Sequence, residues 1–307
     1  EEVYSAVSEF EAELGIMIPA SHNPINYNGM KFVGPASRPL ELEKEFLKIK
    51  TYAENISDGY KKAGGMRKKD KSQEARRSYT DKIFELVPIE SLPAAKVVVN
   101  CGNGAAGPAL MSIKERLSMT RSPLKVVECF ESPDSSFPLG IPNPMLEETR
   151  HHTAEKVREE KADFGVAFDG DFDRCFFFDE EGRFIPSEIV VGLLAEHFSQ
   201  RFKGCTFIHD PRLIFNAAEI AKAHGSTAIQ SKTGHLFFKE QMRKYDAVYG
   251  GENSAHHYFR DFYYCDSGMI PWLVVASIFG EQKRKMSELV DSRIKKYPSS
   301  GERNYRV

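Results

Sequence analysis

Hydrophobic positions along the chain fall into two spacings. Short apolar runs recur at 14–18, 97–99, 124–127, 164–168, 206–208, 228–229 and 247–249, bounded by turn-forming residues, and they predict strands. Between them, 39–55, 109–117, 147–161, 188–201, 212–224 and 236–244 carry apolar residues at helical spacing and predict amphipathic helices. Strand then helix, repeated, predicts an α/β protein with largely parallel sheets between helices. The longest apolar run, 269–279, falls well short of the ~18 residues that a bilayer crossing requires, so no membrane span is expected.

Turn-rich stretches break this alternation at 87–93 (VPIESLP) and across 180–188, where Glu180-Glu181-Gly182 precedes Pro186-Ser187-Glu188. These breaks predict consecutive α/β domains at 1–92, 93–186 and 187–298, with 299–307 the start of a linker. That is more segments than the two domains that 307 residues suggest at about 150 per domain. The chain opens on Glu1-Glu2 without a methionine and is strand-like by Ile16, so it is expected to be truncated at both ends.

Charge and cysteine usage narrow the partners. Lysine plus arginine number 42 against 44 acidic residues, a formal net charge of −2, which gives no overall footprint for nucleic acid or an anionic membrane. The basic stretch from Lys61 to Arg77 is interrupted by Asp70 and Glu74 and lacks aromatics. It is expected to be a solvated helical hairpin turning at Gly64-Gly65. Cys101, Cys129, Cys175, Cys205 and Cys265 are widely spaced, odd in number and without a C-x-x-C pair. They read as reduced thiols, most of them buried, which predicts a cytoplasmic protein.

Four segments carry candidate chemistry. Asp169, Asp171 and Asp173 of DGDFDR follow an apolar run, and in extended chain carboxylates at that spacing point to one side. Converging carboxylates repel unless a hard cation such as Mg²⁺ or Ca²⁺ offsets them, and Arg174 beside them suits a phosphate. An EF-hand loop is excluded because Arg174 stands where glycine is needed and the flanks are strand-like. Ser21-His22 sits in a turn after the strand 14–18, without the elbow of a serine hydrolase; a serine carrying a phosphoryl group, neutralised by Lys31, fits better. Gly102-x-Gly104-x-x-Gly107, with Glu128 beyond, matches a dinucleotide fingerprint but serves equally as a packed strand-to-helix turn. Lys232-Thr233-Gly234-His235 and Gly250-Gly251-Glu252-Asn253-Ser254-Ala255-His256-His257 follow further strands, where α/β ligand loops gather. Together they suggest a sugar-phosphate cradle.

ASHNP with NGMK, DGDFDR, KTGH and GGENSAHHYF, in that order, resemble the α-D-phosphohexomutase family, closest to its bacterial mannose-phosphate branch. The resemblance extends to NCGNGAAGP, PDSSFPLGIPNP, GLLAEHF and CDSGMIPW. It implies that Ser21 carries the transferred phosphoryl group and, with Asp169, Asp171 and Asp173, holds Mg²⁺. Ser21, His22, Lys31 and Arg174 become the implied catalytic set, with Lys31 the candidate for proton transfer, and Lys232, His235, Glu252, Ser254 and His256 the substrate contacts. The implied reaction interconverts mannose 6-phosphate and mannose 1-phosphate through a hexose 1,6-bisphosphate. Glucose phosphates are alternative substrates, and a degenerate sugar-phosphate-binding protein or a dinucleotide oxidoreductase are the rival functions. Pro19, Phe172 and Ala255 depart from the Thr and two Gly common in the family. The family also has a fourth domain gripping the far phosphate, so this polypeptide alone is expected to turn over poorly.

Overall fold

The computed structural model describes residues 1–24, 26–56 and 68–299. The expected hairpin turn at Gly64-Gly65 and most of the linker at 299–307 lie outside them. The chain begins with a helix, α1 (Glu2–Glu9), followed by an antiparallel hairpin of β1 (Gly15–Met17) and β2 (Lys31–Val33). A π-helical turn at Leu42–Phe46 runs into α2 (Leu47–Asn55), and α3 (Ser72–Leu86) follows.

A five-stranded sheet comes next: β3 (Lys96–Asn100), α4 (Ala106–Met119), β4 (Lys125–Cys129), α5 (His151–Glu160), β5 (Phe164–Phe168), β6 (Cys175–Phe178) and β7 (Phe184–Ile185). Its strand order is β4-β3-β5-β6-β7. The pairings of β3 with β4 and β5 are parallel, whereas those of β6 with β5 and β7 are antiparallel. Val97, Val98 and Val99 are fully buried, as a run of β-branched residues should be in a strand covered on both faces.

The third part repeats the plan with α6 (Ser187–Arg201), β8 (Thr206–His209), α7 (Ile214–His224), β9 (Thr227–Gln230), α8 (His235–Lys244), β10 (Tyr249–Gly251), β11 (His257–Phe259) and β12 (Cys265–Asp266). Its order is β12-β11-β10-β8-β9, again mixed. Two helices close the described chain, α9 (Met269–Gln282) and α10 (Met286–Lys296). Every residue of α9 from Met269 to Ile278 is buried, so this helix is apolar on all sides and forms the centre of the molecule. Each large side chain so buried contributes roughly 1.5–3 kcal/mol. The Glu1 carboxyl accepts from the backbone N–H groups of Gly268 (3.1 Å) and Met269 (3.2 Å), capping the start of α9, while burial raises its pKa to about 7.

One buried cluster links Tyr4, Ile83, Val97, Phe164, Phe207 and Trp272, so the sheets share an interior. One expectation is corrected. The strand expected at 247–249 lies at Tyr249–Gly251, because Gly250 and Gly251 carry no apolar signal yet pair with Ile208 and His209. A β-carbon on Gly251 would come 2.5 Å from Val191, so the close fit accounts for the glycine. The helix α1 was not anticipated; it spans eight residues, too few for its buried Tyr4 and Val7 to set a period.

Candidate active site

The loops that follow β1, β5, β9 and β10 carry Ser21, Asp169–Arg174, Lys232 and Glu252–His256 respectively. Ser21 sits in a tight turn with φ of +51°. Its Oγ donates to Asp169 Oδ2 at 2.8 Å and lies 3.0 Å from His22 Nδ1. Burial and then the Arg174 charge lower the proton affinity of His22, which keeps its imidazole neutral. Gly170 permits this approach, since a β-carbon there would come 2.2 Å from the Ser21 carbonyl oxygen.

Asp169, Asp171 and Asp173 are all buried, with ligand oxygens within 4.8 Å of one another. The expectation that extended chain brings them together is corrected. The segment is a turn in which the Phe172 N–H donates to the Asp169 carbonyl at 3.1 Å and Phe172 takes φ of +49°. The buried Phe172 ring anchors that left-handed residue. Strands β5 and β6, paired antiparallel, flank the turn, which is not an EF-hand arrangement.

The glycine-rich segment braces this turn from behind. The Ala105 N–H donates to the Gly170 carbonyl at 2.9 Å, and a β-carbon on Gly104 would come 2.7 Å from that oxygen. A β-carbon on Gly107 would come 1.6 Å from the Glu131 carbonyl, and Glu128 is paired with Lys114. Backbone packing thus accounts for glycine at 104 and 107.

Cations gather round the carboxylates. Lys31 Nζ, 2.8 Å from Asp171 and 2.6 Å from Asp173, would be lowered in pKa by burial, but the two aspartates outweigh that and raise it. Burial also pushes Asp173 up, yet His256 and Lys31 pull its carboxyl well below the usual range. Asp169 is raised by burial and by its neighbours Asp173 and Asp171. Arg174 Nε stands 3.7 Å from Asp169 and 4.0 Å from Asp173. Asp171 Oδ1 is buried without a hydrogen-bond partner among the described residues. An orphaned carboxylate oxygen among three converging ones fits a divalent cation.

The loop after β10 is fastened to this turn. The Cys175 N–H donates to the Ala255 carbonyl at 3.1 Å, and Arg174 and His256 form an antiparallel bridge. His256 Nε2 faces Asp173 Oδ1 at 3.3 Å, and Nδ1 lies 2.9 Å from Ser254 Oγ. Burial alone would lower its pKa, but Asp173 raises it. Glu252 is buried and ties its loop to the next: its carboxylate accepts from the Gly234 N–H at 2.7 Å and the Tyr258 hydroxyl at 2.6 Å. Lys232 is exposed, with its ammonium 5.6 Å from the centre of the Phe237 ring. His235 opens α8 beside Lys31 and Lys239, around a cleft of about 300 Å³.

Three further residues shape the site. Asp210 is buried and accepts from the Arg212 N–H at 2.9 Å and the Asn253 N–H at 3.4 Å, steadying the loop after β10. Lys239 and Asp266, both buried, pair at 2.6 Å, and Asp266 closes a cluster with Asp173 and His256. The one available signal was a charged residue inside an apolar run, as in the Asp266 of CDSGMIPW.

Residues 1–59, 77–182 and 186–297 match the alpha/beta/alpha domains I, II and III of phosphoglucomutase/phosphomannomutase. Phosphomannomutases of Escherichia coli and Vibrio cholerae are 45% and 44% identical across the whole chain, which spans 67% and 66% of their lengths. The chain belongs to the phosphoglucomutase/phosphomannomutase family. Family membership makes it a phosphohexose mutase, an enzyme of the isomerase class. A putative phosphomannomutase from Thermus thermophilus superposes with a TM-score of 0.84 at 21% identity, over 95% of this chain and 65% of that one. A phosphoglucomutase/phosphomannomutase family protein from Burkholderia thailandensis gives 0.74 at 26%, over 90% and 57%. Among the described residues no helix is long and apolar enough to cross a membrane.

Proposed function

We propose that the protein interconverts mannose 6-phosphate and mannose 1-phosphate through a phosphorylated Ser21 and a hexose 1,6-bisphosphate. The observation that carries this reading is the Ser21 hydroxyl at 2.8 Å from Asp169, at the edge of a carboxylate cluster ringed by Lys31, Arg174 and His256. Phosphomannomutase is also the name of the relatives at 44–46% identity.

In the first half-reaction a sugar hydroxyl oxygen gives its proton to a base of the site and bonds to the phosphorus of phospho-Ser21 as the Ser21 Oγ–P bond breaks; the same group returns a proton to the sugar oxygen when that oxygen is the leaving group. The bound bisphosphate then turns end for end. Ser21 Oγ attacks its other phosphorus, losing its proton, and a sugar monophosphate leaves. His22, neutral and 3.0 Å from Oγ, is placed to take that proton and to return it when Oγ is the leaving group. Lys31, which pairs with Asp171 and Asp173, supplies positive charge and is the candidate to move the sugar hydroxyl proton, and Arg174 adds a second cation for the phosphoryl oxygens. Asp169, Asp171 and Asp173, together with Ser21, would hold Mg²⁺, whose contribution when bound is to offset phosphoryl charge. All-oxygen donors favour that ion over softer metals.

Lys232, His235, Ser254 and His256 are the proposed contacts to the hexose phosphate, with Glu252 joining their two loops. Free thiols at all five cysteines suit a reducing cytoplasm. The test is a coupled assay on the full-length protein comparing mannose 1-phosphate with glucose 1-phosphate, alongside mass spectrometry of the Ser21 peptide. Higher kcat/KM for mannose 1-phosphate and a phosphate on Ser21 are expected. A preference for glucose 1-phosphate would reassign the substrate, and an unphosphorylated, inactive protein would indicate a sugar-phosphate binder.

A further inference from the structure

His235, Lys239 and Arg243 recur every four residues along α8 and so share one face of that helix. His235 opens onto the cleft. Lys239 is buried, paired with Asp266 at 2.6 Å and 3.9 Å from the centre of the Tyr4 ring. Arg243, at the far end, makes no side-chain ion pair among the described residues. Its guanidinium instead gathers backbone carbonyls: Nη2 donates to Tyr263 at 2.7 Å, Ser37 at 3.0 Å and Ala36 at 3.5 Å, and Nη1 to Lys239 at 3.2 Å.

The carbonyls it reaches in the first part of the chain belong to an unusual knot. Ala36 and Ser37 both have positive φ, +53° and +56°, a conformation that non-glycine residues adopt only when their surroundings hold them there. Ser37 is buried. Its hydroxyl donates to the Tyr4 carbonyl at 2.5 Å and lies 2.6 Å from Ser8 Oγ. Its carbonyl receives both Arg243 and, at 3.3 Å, Cys265 Sγ. The knot follows β2 by four residues; β2 carries Lys31 and pairs with β1, which leads into the Ser21 turn. Helix α8 is in turn preceded by its N-cap Gly234, whose N–H is held by Glu252. One rigid helix therefore runs from the proposed sugar loops to the knot behind the serine–lysine hairpin.

We propose that Arg243 is a positioning residue: through the Ser37 knot it fixes the hairpin bearing Ser21 and Lys31 in register with the sugar loops. The planar fork suits this role because it aims several N–H groups at carbonyls in one plane, which a lysine cannot do. The proposal rests on the mutase reading for its consequence in turnover, but not for the contact itself.

The test compares wild type, Arg243→Met and Arg243→Lys in the full-length protein by hydrogen exchange of the peptide covering 32–38 and by kcat and KM for mannose 1-phosphate. Arg243→Met should speed exchange at 32–38 while leaving the peptide covering 96–100 unchanged. It should also lower kcat by about 10- to 100-fold, the loss expected of a small misplacement, with little change in KM. Arg243→Lys should fall between. Unchanged exchange in Arg243→Met, or faster exchange with wild-type kcat, would overturn the proposal. If Arg243→Met does not fold, Arg243→Lys carries the same comparison, and wild-type values for it in both readouts are the overturning result. A wild-type protein without mutase activity would defeat the functional reading while leaving the exchange result intact.

Discussion

Lys31 on β2 and Asp173 in the turn after β5 meet at 2.6 Å, although 142 residues separate them. The same ammonium reaches Asp171 at 2.8 Å, so one lysine offsets two of the three clustered carboxylates. Replacing it with Met takes the Lys31 charge from both and leaves Asp173 with His256 and Arg174 alone. Without divalent cation, Lys31→Met should lose about 1–3 kcal/mol of stability, the cost of unpaired buried polar groups. Added Mg²⁺ should raise the Tm of Lys31→Met by more than that of wild type, because the ion replaces the missing charge. Thermal melts with EDTA and with Mg²⁺ measure this. Equal increments in the two proteins would refute the placement of Lys31 against the cation site.

Gly170 gives a steric test of the same junction. Its φ lies outside the left-handed region, so alanine is conformationally acceptable there, and the obstacle is space. The added carbon would meet the Ser21 carbonyl oxygen at 2.2 Å and its carbon at 3.1 Å, both backbone atoms. Gly170→Ala should therefore push the serine turn off the carboxylate turn at a cost of about 1–3 kcal/mol. Isothermal titration should show weaker Mg²⁺ binding, with kcat falling alongside it. Wild-type affinity and kcat would mean that the two turns do not act as one unit.

Removal of the proposed nucleophile separates chemistry from binding. Ser21→Ala deletes the hydroxyl bonded to Asp169 and His22 but leaves Lys232, Ser254 and His256 in place. Turnover should fall by roughly 10³-fold or more, because no covalent intermediate can form. The affinity for mannose 1-phosphate, followed by calorimetry, should remain close to that of wild type. Near-normal turnover would remove Ser21 from the mechanism.

The chemistry-bearing loops were legible because each follows a strand whose apolar run marks it. Buried strands such as β3 and β5 announce themselves through Val97–Val99 and Phe164–Phe168, and DGDFDR begins where the second run ends. Less legible was anything set by long-range fit. The left-handed Phe172 that curls the aspartates together has no local signature, so extended geometry was expected there. Lys239 and Asp266 meet across 27 positions between a helix and an edge strand, and neither has a pattern naming its partner. In β10, two glycines silenced the periodicity over the last two residues of the ladder.

His257 supplies a pH test that does not depend on the cation site being filled. It is fully buried on β11, with Nδ1 2.8 Å from the Tyr249 hydroxyl. Burial, and then the neighbouring His256, lower its pKa to about 3. In the unfolded chain a histidine takes up a proton near pH 6.5. Between those two values the unfolded state binds a proton that the folded state refuses, so stability falls as the pH falls. The slope this residue contributes is about 1.4 kcal/mol per pH unit, and it vanishes above about pH 6.5, where both states are neutral. His257→Gln keeps an amide for Tyr249 but cannot titrate. Urea unfolding of both proteins from pH 7 to pH 4.5 should give curves whose difference shrinks as the pH falls, since only wild type carries this penalty. Parallel curves would mean that His257 takes up its proton equally in both states, and so is not the buried neutral group described here.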